Sequence, residues 1–311
     1  MASTLWASRR SRRDAPVTSS GRDRPGAWCR VAVLLAYLLG PFTAAAQVAD
    51  AGLPLWELGL GAAGISLPAY PGSDEQQFFG APFPYVVYRG RVLRADEDGV
   101  RGLFFSSERV RLEVSGNGTP RVDSDEIAVR EGMPDLDLSF ELGPSLHVDL
   151  LERGTTRLWA EWNLRALISA DGLQFGHEGF VTDPALYIST RPLAWARVGA
   201  RLHVYFADAD YHRYFYEVAP AFARADRPAY AARGGYNGSG AGVFADLQPA
   251  RNWHLRAGLN YRSVHGAAFE DSPLVVESQG VTVFLTVARS FFHSDRRVPR
   301  ARGDAVTPAV R

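Results

Sequence analysis

Hydrophobic and polar positions take turns along most of the chain, most regularly over residues 137–168. Leu138, Phe140, Leu142, Leu146, Val148 and Leu150 share one parity, while Asp137, Ser139, Glu141, Ser145, His147 and Asp149 share the other. After a polar interruption at Glu152-Arg153-Gly154-Thr155 the alternation resumes, with Leu158, Ala160, Trp162, Leu164, Ala166 and Ile168 against Arg157, Trp159, Glu161, Asn163 and Arg165. A period of two marks extended backbone, and two such runs joined by a tight turn make a hairpin. Both runs are long. Strands of soluble sheets hold about 5 to 6 residues, whereas a tilted strand crossing a bilayer needs about 9 to 11. One face is hydrocarbon interrupted by Pro144, and the other carries ionisable groups that are costly in a dry core unless paired. The pattern predicts lipid on one side and a wet or ion-paired lumen on the other; a soluble sandwich of unusually long strands is the competing arrangement.

The same alternation predicts further strands on either side of this hairpin. Trp56, Leu58, Leu60 and Ala62 alternate with Glu57, Gly59, Gly61 and Ala63. A second strand at 82–96 turns at Asp98-Gly99, a strong hairpin signal, into a third at 100–115. Ser106 and Glu108 break the apolar face of that third run, which reads as one bulged strand or two short ones. Later strands fall at 180–190, 195–206, 239–247, 253–264 and 281–292. Connections alternate between long (67–81, 116–136, 170–179, 208–238, 265–279) and short (97–99, 151–155, 191–194, 248–252), as the two rims of bacterial barrels do. The tyrosine-rich stretch 207–237 reads as a loop carrying a short helix, with a strand at 214–221 as the alternative. The fold expected is all-β: a transmembrane antiparallel up-and-down β-barrel of about ten strands, or twelve if the connections near 116 or 208 hide two more, with long loops on the extracellular side.

Composition narrows the class. The 311 residues carry 34 basic and 34 acidic side chains, so there is no net charge to favour nucleic acid, and no zinc-finger or glycine-rich phosphate motif supplies one. A mean hydropathy of -0.13 is too polar for a helical membrane protein, but membrane barrels hide their apolar content by alternation. Arginines 9, 10, 12, 13, 22, 24 and 30 precede the apolar run at 31–39, which leads to Ala44-Ala45-Ala46. That order of charge, hydrocarbon and small residues predicts a secretory signal peptide over 1–46, cleaved on export. The single cysteine, Cys29, falls inside it, so the exported chain has no thiol for a disulfide or a metal. Residues 47–292 form the predicted barrel. The arginine- and proline-containing segment 293–311 is expected to be a disordered basic tail.

Parity assigns the lumen. Glu57, Arg89, Arg91, Arg101, Arg109, Arg111, Glu113, Glu141, His147, Asp149, Arg157, Glu161, Arg165, Arg197, Arg201, His203, Arg256 and Arg262 are expected to face inward, where arginines outnumber carboxylates. Two readings follow: mutual pairing across a barrel narrow enough to be filled by side chains, or a cationic constriction that selects small anions. Ser145, His147 and Asp149 share a face, but a row with steps of about 7 Å is too widely spaced for a hydrogen-bonded triad. No catalytic residue, cofactor or metal site is expected.

Several stretches resemble the MipA/OmpV family, the MltA-interacting outer-membrane proteins. They are Ile65-Ser66-Leu67-Pro68-Ala69-Tyr70-Pro71-Gly72-Ser73-Asp74, Pro84-Tyr85-Val86-Val87-Tyr88-Arg89-Gly90, Gly132-Met133-Pro134-Asp135-Leu136, Glu141-Leu142-Gly143-Pro144-Ser145-Leu146, Arg227-Pro228-Ala229-Tyr230 and Asp271-Ser272-Pro273-Leu274-Val275. The resemblance implies an outer-membrane barrel in contact with outer-membrane lipids. It also implies a non-enzymatic scaffold that binds a lytic murein transglycosylase and a bifunctional peptidoglycan synthase. The chain departs from that pattern at its end. Such barrels stop at a terminal Phe with an aromatic residue two before it, whereas here Ser290 precedes Phe292 and nineteen residues follow it.

Overall fold

The computed structural model describes residues 52–96 and 99–299. The predicted signal segment at 1–46 and residues 300–311 lie outside the described residues. A short strand β1 (Leu53–Pro54) precedes the wall, which consists of β2 (Trp56–Pro68), β3 (Gln76–Arg89), β4 (Leu93–Asp96), β5 (Gly99–Ser106), β6 (Val110–Thr119), β7 (Leu138–Arg153), β8 (Thr156–Asp171), β9 (Gln174–Leu193), β10 (Ala196–Ala207), β11 (Gly235–Leu247), β12 (Trp253–Ser263) and β13 (Gln279–His293). Each wall strand pairs antiparallel with its sequence neighbour, and β13 pairs with β2 to close a barrel of twelve strands among the described residues. Beyond the wall, β14 (Arg297–Val298) pairs with β1. Both ends of the described chain therefore lie at the same rim.

The wall is inverted relative to a soluble fold, as the alternation predicts. Trp162 is 59% exposed while Asn163 beside it is 2% exposed. Around the barrel Leu60, Leu142, Leu164, Leu202 and Leu285 point outward, and Ser145, His147, Asp183, His203 and Asp246 are buried inside. No described helix is long and apolar enough to cross a membrane, and the wall is made of strands.

Twelve strands arise where the sequence left two of its runs ambiguous. The run at 82–96 is broken by a turn at 90–92 into β3 and β4, and the run at 100–115 is broken by a turn at 107–109 into β5 and β6. No extra strand comes from the connections near 116 or 208. The connection expected at 170–179 is instead strand: Asp171 pairs with Gln174 around a turn at 172–173. Gly172 there sits at a φ of 60°, a left-handed conformation that costs glycine little. The β8–β9 ladder thus continues to the tip of its hairpin, where Leu173 and Phe175 are exposed.

Four long connections fold together over one mouth of the barrel: 69–75, 120–137, 208–234 and 264–278. The third carries helix α1 (Ala209–Tyr216), capped by Asp208, whose carboxylate accepts from the Tyr211 N–H. Tyr70, Ile127, Tyr216, Phe269 and Leu274 form the core of this cap, which packs down on the inward-facing Leu167 of β8 and Val181 of β9. Tyr216 and Phe269 stack with ring centroids 3.6 Å apart. Buried tyrosines keep a hydroxyl partner: Tyr70 donates to the Leu274 carbonyl at 2.8 Å and Tyr216 to the Pro71 carbonyl at 2.8 Å. Arg130 is buried and donates to the carbonyls of Phe215 and Pro134, each at 3.0 Å. Burial lowers its pKa. Arg227 ties the same loops by donating to the carbonyls of Val129 at 2.9 Å and Glu131 at 3.0 Å. The loop tyrosines are thus explained by a cap with its own core.

Candidate functional site

Beneath the cap the lumen holds a cavity of about 1070 Å³. Its chemistry is layered because strand parity brings one inward side chain from each strand to each level. Nearest the rim that carries the termini, Arg89 pairs with Glu57 at 2.7 Å. Further round the same side of the wall, on β10–β12, the Arg197 guanidinium forks onto Asp246 at 2.8 and 2.6 Å, and Arg256 stands 3.3 Å from the other carboxylate oxygen. Asp149 gathers Arg157 at 2.7 Å and Arg111 at 3.6 Å, while Arg111 also reaches Glu113 at 3.2 Å and Arg101 lies 3.7 Å from Glu113.

His147 joins this layer through both ring nitrogens, Nε2 lying 3.2 Å from Asp149 and Nδ1 3.3 Å from Glu161. The strand-row spacing predicted that residues two apart would not touch. They do, because side chains lean along the strand and close the gap between backbones. No hydrogen bond joins Ser145 to His147 among the described residues; the His147 ring contacts Asp149, Glu161 and Arg157.

At mid-height Arg165 bridges Asp183 at 3.0 Å and Glu141 at 3.6 Å and donates to Ser115 Oγ at 3.1 Å. Glu141 also accepts from the Tyr211 hydroxyl of the cap at 3.1 Å, which couples lumen and cap directly. Nearest the cap the pattern changes. Arg201 donates to Asn260 Oδ1 at 3.1 Å, and His203 Nε2 lies 3.1 Å from the same oxygen. Arg262 donates to the Asn237 carbonyl at 2.9 Å and to its Oδ1 at 3.0 Å, with its guanidinium 4.2 Å above the Tyr205 ring. Neither Arg201 nor Arg262 forms an ion pair with a carboxylate among the described residues.

Two expected lumen residues lie elsewhere. Arg91 and Arg109 are exposed in the turns at 90–92 and 107–109. The parity rule fails there because a turn resets the alternation that was extrapolated through it. Tyr85 is buried on the lumen side, where it stacks on His254 at 4.8 Å. Asp183, Asp246 and His254 were missed, although each shares the inward parity of its strand. No group of His, Cys, Asp and Glu that could hold a metal occurs among the described residues.

The chain was compared with known proteins. No curated protein matches it. Among solved structures it is similar to the CymD monoaromatic hydrocarbon channel, at 12% identity over 77% of this chain and 89% of that one with a TM-score of 0.31. It is similar to a bacterial polysaccharide outer membrane secretin, at 10% identity over 76% and 99% with a TM-score of 0.40. The NanC porin aligns at 8% identity over 76% and 100% with a TM-score of 0.33. Likeness at this level bears on neither ligand nor activity. The family described as MltA-interacting protein MipA matches residues 60–291. That span covers β3–β12 entire and most of β2 and β13, with the cap between them, and the chain belongs to the MipA family.

Proposed function

We propose that this barrel resides in the outer membrane, after export on its N-terminal signal, as a non-conducting scaffold that docks a lytic murein transglycosylase and a bifunctional peptidoglycan synthase at its periplasmic rim. The observation that carries the reading is the cap. Four loops with a shared hydrophobic core lie over one mouth of a lumen whose lower charges are internally paired, which suits a rigid platform better than an open pore. The family's description supplies the partner class. The opposite rim is the surface available to periplasmic enzymes, and it displays Arg91, Arg109 and Arg153 as exposed cations.

The test pairs capture with conductance. Detergent-solubilised protein is expected to retain a lytic transglycosylase, to lose it when Arg91, Arg109 and Arg153 are reversed to Glu, and to leave planar bilayers silent. Discrete anion-selective steps that shift when Arg89, Arg111 and Arg201 are neutralised would overturn it. They would establish the second reading, a narrow anion-leaning channel, which Arg201 and Arg262 favour by lacking carboxylate partners.

A further inference from the structure

The wall of this barrel is not equally tall all the way round. β3 pairs with β2 over its whole length, from Gln76 opposite Pro68 to Tyr88 opposite Trp56. On its other side it pairs with β4 only through Tyr88 and Arg89. β6 pairs with β7 from Val110 to Thr119, but with β5 only as far as Val114. β4 and β5 hold 4 and 8 residues. Above their hairpin, therefore, residues 76–87 of β3 and 115–119 of β6 face each other with no ladder between them among the described residues. Three strand spacings of about 4.8 Å put these lips about 14 Å apart. The opening is bounded above, where the Ala128 N–H of one cap loop donates to Glu75 Oε1 of another at 3.0 Å.

An unpaired strand edge in hydrocarbon is expensive, since each unsatisfied backbone group there costs several kcal/mol. The sequence is adapted to that cost. The Arg89 N–H donates to the Leu55 carbonyl on the β2 side, so odd-numbered positions of β3 point their backbone toward β2 and even-numbered ones toward the opening. Pro82 and Pro84 fall on the even set, which places a residue with no N–H to satisfy at two positions of the edge. Across the opening, the Asp149 N–H donates to the Arg109 carbonyl, so β6 turns its even positions to the gap. There it presents the exposed Gly116 and Gly118. One lip lacks an N–H at two of its edge positions, and the other lacks a side chain at two of its own. This is an edge built to remain unpaired.

The opening leads somewhere. The cavity of about 1070 Å³ is lined by Pro84 and Tyr85 from one lip and by residues 115–119 from the other. It is also lined by Arg201 and Arg262, the two lumen arginines hydrogen-bonded only to neutral groups. The cap covers the axial exit above. A side entrance through the wall, a capped mouth and two cations without a carboxylate partner among the described residues fit one kind of visitor. We infer that the barrel admits a carboxylate-bearing amphiphile from the surrounding lipid, through the window between β3 and β6, and holds its head group at Arg201 and Arg262. This goes beyond the scaffold reading and shares with it only the membrane-embedded barrel.

The probe is a dansyl-labelled undecanoate, added to the full chain reconstituted in phosphatidylcholine vesicles, with compact migration of the unheated protein on gels confirming that each variant is folded. Saturable fluorescence is expected, displaced by laurate and not by dodecanol. Replacing Arg201 and Arg262 by Gln should weaken binding about tenfold or more, as loss of a charge-assisted hydrogen bond does, with the association rate kept; R262Q alone serves if the double variant does not fold. Asn117 stands exposed on the inward parity of β6, in the opening itself. N117W should slow association about tenfold by obstructing the window, leaving the equilibrium affinity in place. Absence of saturable binding to folded protein, equal displacement by dodecanol, or an unchanged rate in N117W would each overturn the inference. None of these outcomes bears on capture of the murein enzyme, so the two proposals fail separately.

Discussion

Replacing Asp246 by Ala tests whether the lumen charges hold the barrel together. Asp246 is 2% exposed, receives a two-pronged hydrogen bond from Arg197, and lies 3.3 Å from Arg256. Each charge-assisted bond of the fork contributes about 1.5–3 kcal/mol, and breaking a buried ion pair by removing one partner costs about 3–5 kcal/mol. The Arg256 side chain keeps 22% of its surface and can recover water, whereas Arg197 keeps 10% and cannot do so without moving. The loss should therefore fall at the low end, about 3 kcal/mol, which is about two decades in the folded-to-unfolded ratio. Urea unfolding of the vesicle-embedded protein, followed by tryptophan fluorescence, measures it. Asp210, in an exposed pair with Arg213 on α1, is the control, and its replacement by Ala should change stability by no more than about 0.5 kcal/mol. Removing both charges, as Arg197→Met with Asp246→Leu, should restore most of what D246A loses. A D246A barrel as stable as the parent would mean that the layer is solvated and that the pairing contributes nothing.

Three other outcomes are expected. His212 is fully buried in the cap, with Nδ1 2.5 Å from the Arg233 carbonyl, and burial lowers its pKa. The unfolded chain therefore takes up the proton first, so the cap keeps its stability above about pH 6.5 and loses it progressively as pH falls below that value. Amide exchange over 208–234, corrected for intrinsic rates, should rise on acidification and lose that dependence in H212Q; exchange that slows at low pH would refute the assignment. A Cβ on Gly59 would lie 1.9 Å from the Arg289 carbonyl at the β2–β13 seam, whereas one on Gly102 meets nothing within 4 Å. Gly59→Ala should abolish the compact unheated gel band while Gly102→Ala keeps it, and equal behaviour would contradict the register of the seam. Arg130→Ala, which leaves the Phe215 carbonyl without its side-chain donor and the Pro134 carbonyl with the Ser124 hydroxyl alone, should weaken the cap by about 2–3 kcal/mol and open 120–137 to protease while the barrel band persists.

What the sequence disclosed followed from how local each signal was. The β7–β8 hairpin was legible because its two faces meet different solvents at every step, which writes a period of two into the chain. The split of β3 from β4 and of β5 from β6 was half legible. Ser106 and Glu108 broke the apolar face, but the turn at 90–92 kept enough alternation to pass for strand, and this carried Arg91 into a lumen it does not reach. The same extrapolation misplaced Arg109. Asp183 and Asp246 could have been found by the parity rule applied evenly, since each shares the inward parity of its strand. The cap was out of reach. Tyr70, Tyr216, Phe269 and Leu274 come from three separate loops, and no local period records that they will pack together. The window was equally hidden, because Pro82 and Pro84 acquire their meaning only when the register fixes which way their nitrogens point.

The account depends on hydrocarbon touching one set of side chains and the lumen the other. Spin labels on single cysteines placed one at a time along 158–168 of β8, in a Cys29→Ser background and reconstituted in vesicles, test this most directly. Collisions with lipid-dissolved oxygen should peak at 158, 160, 162, 164 and 166 and fall at 159, 161, 163 and 165. A profile without that alternation, or one with its maxima on the Asn163 and Arg165 side, would contradict the barrel described here.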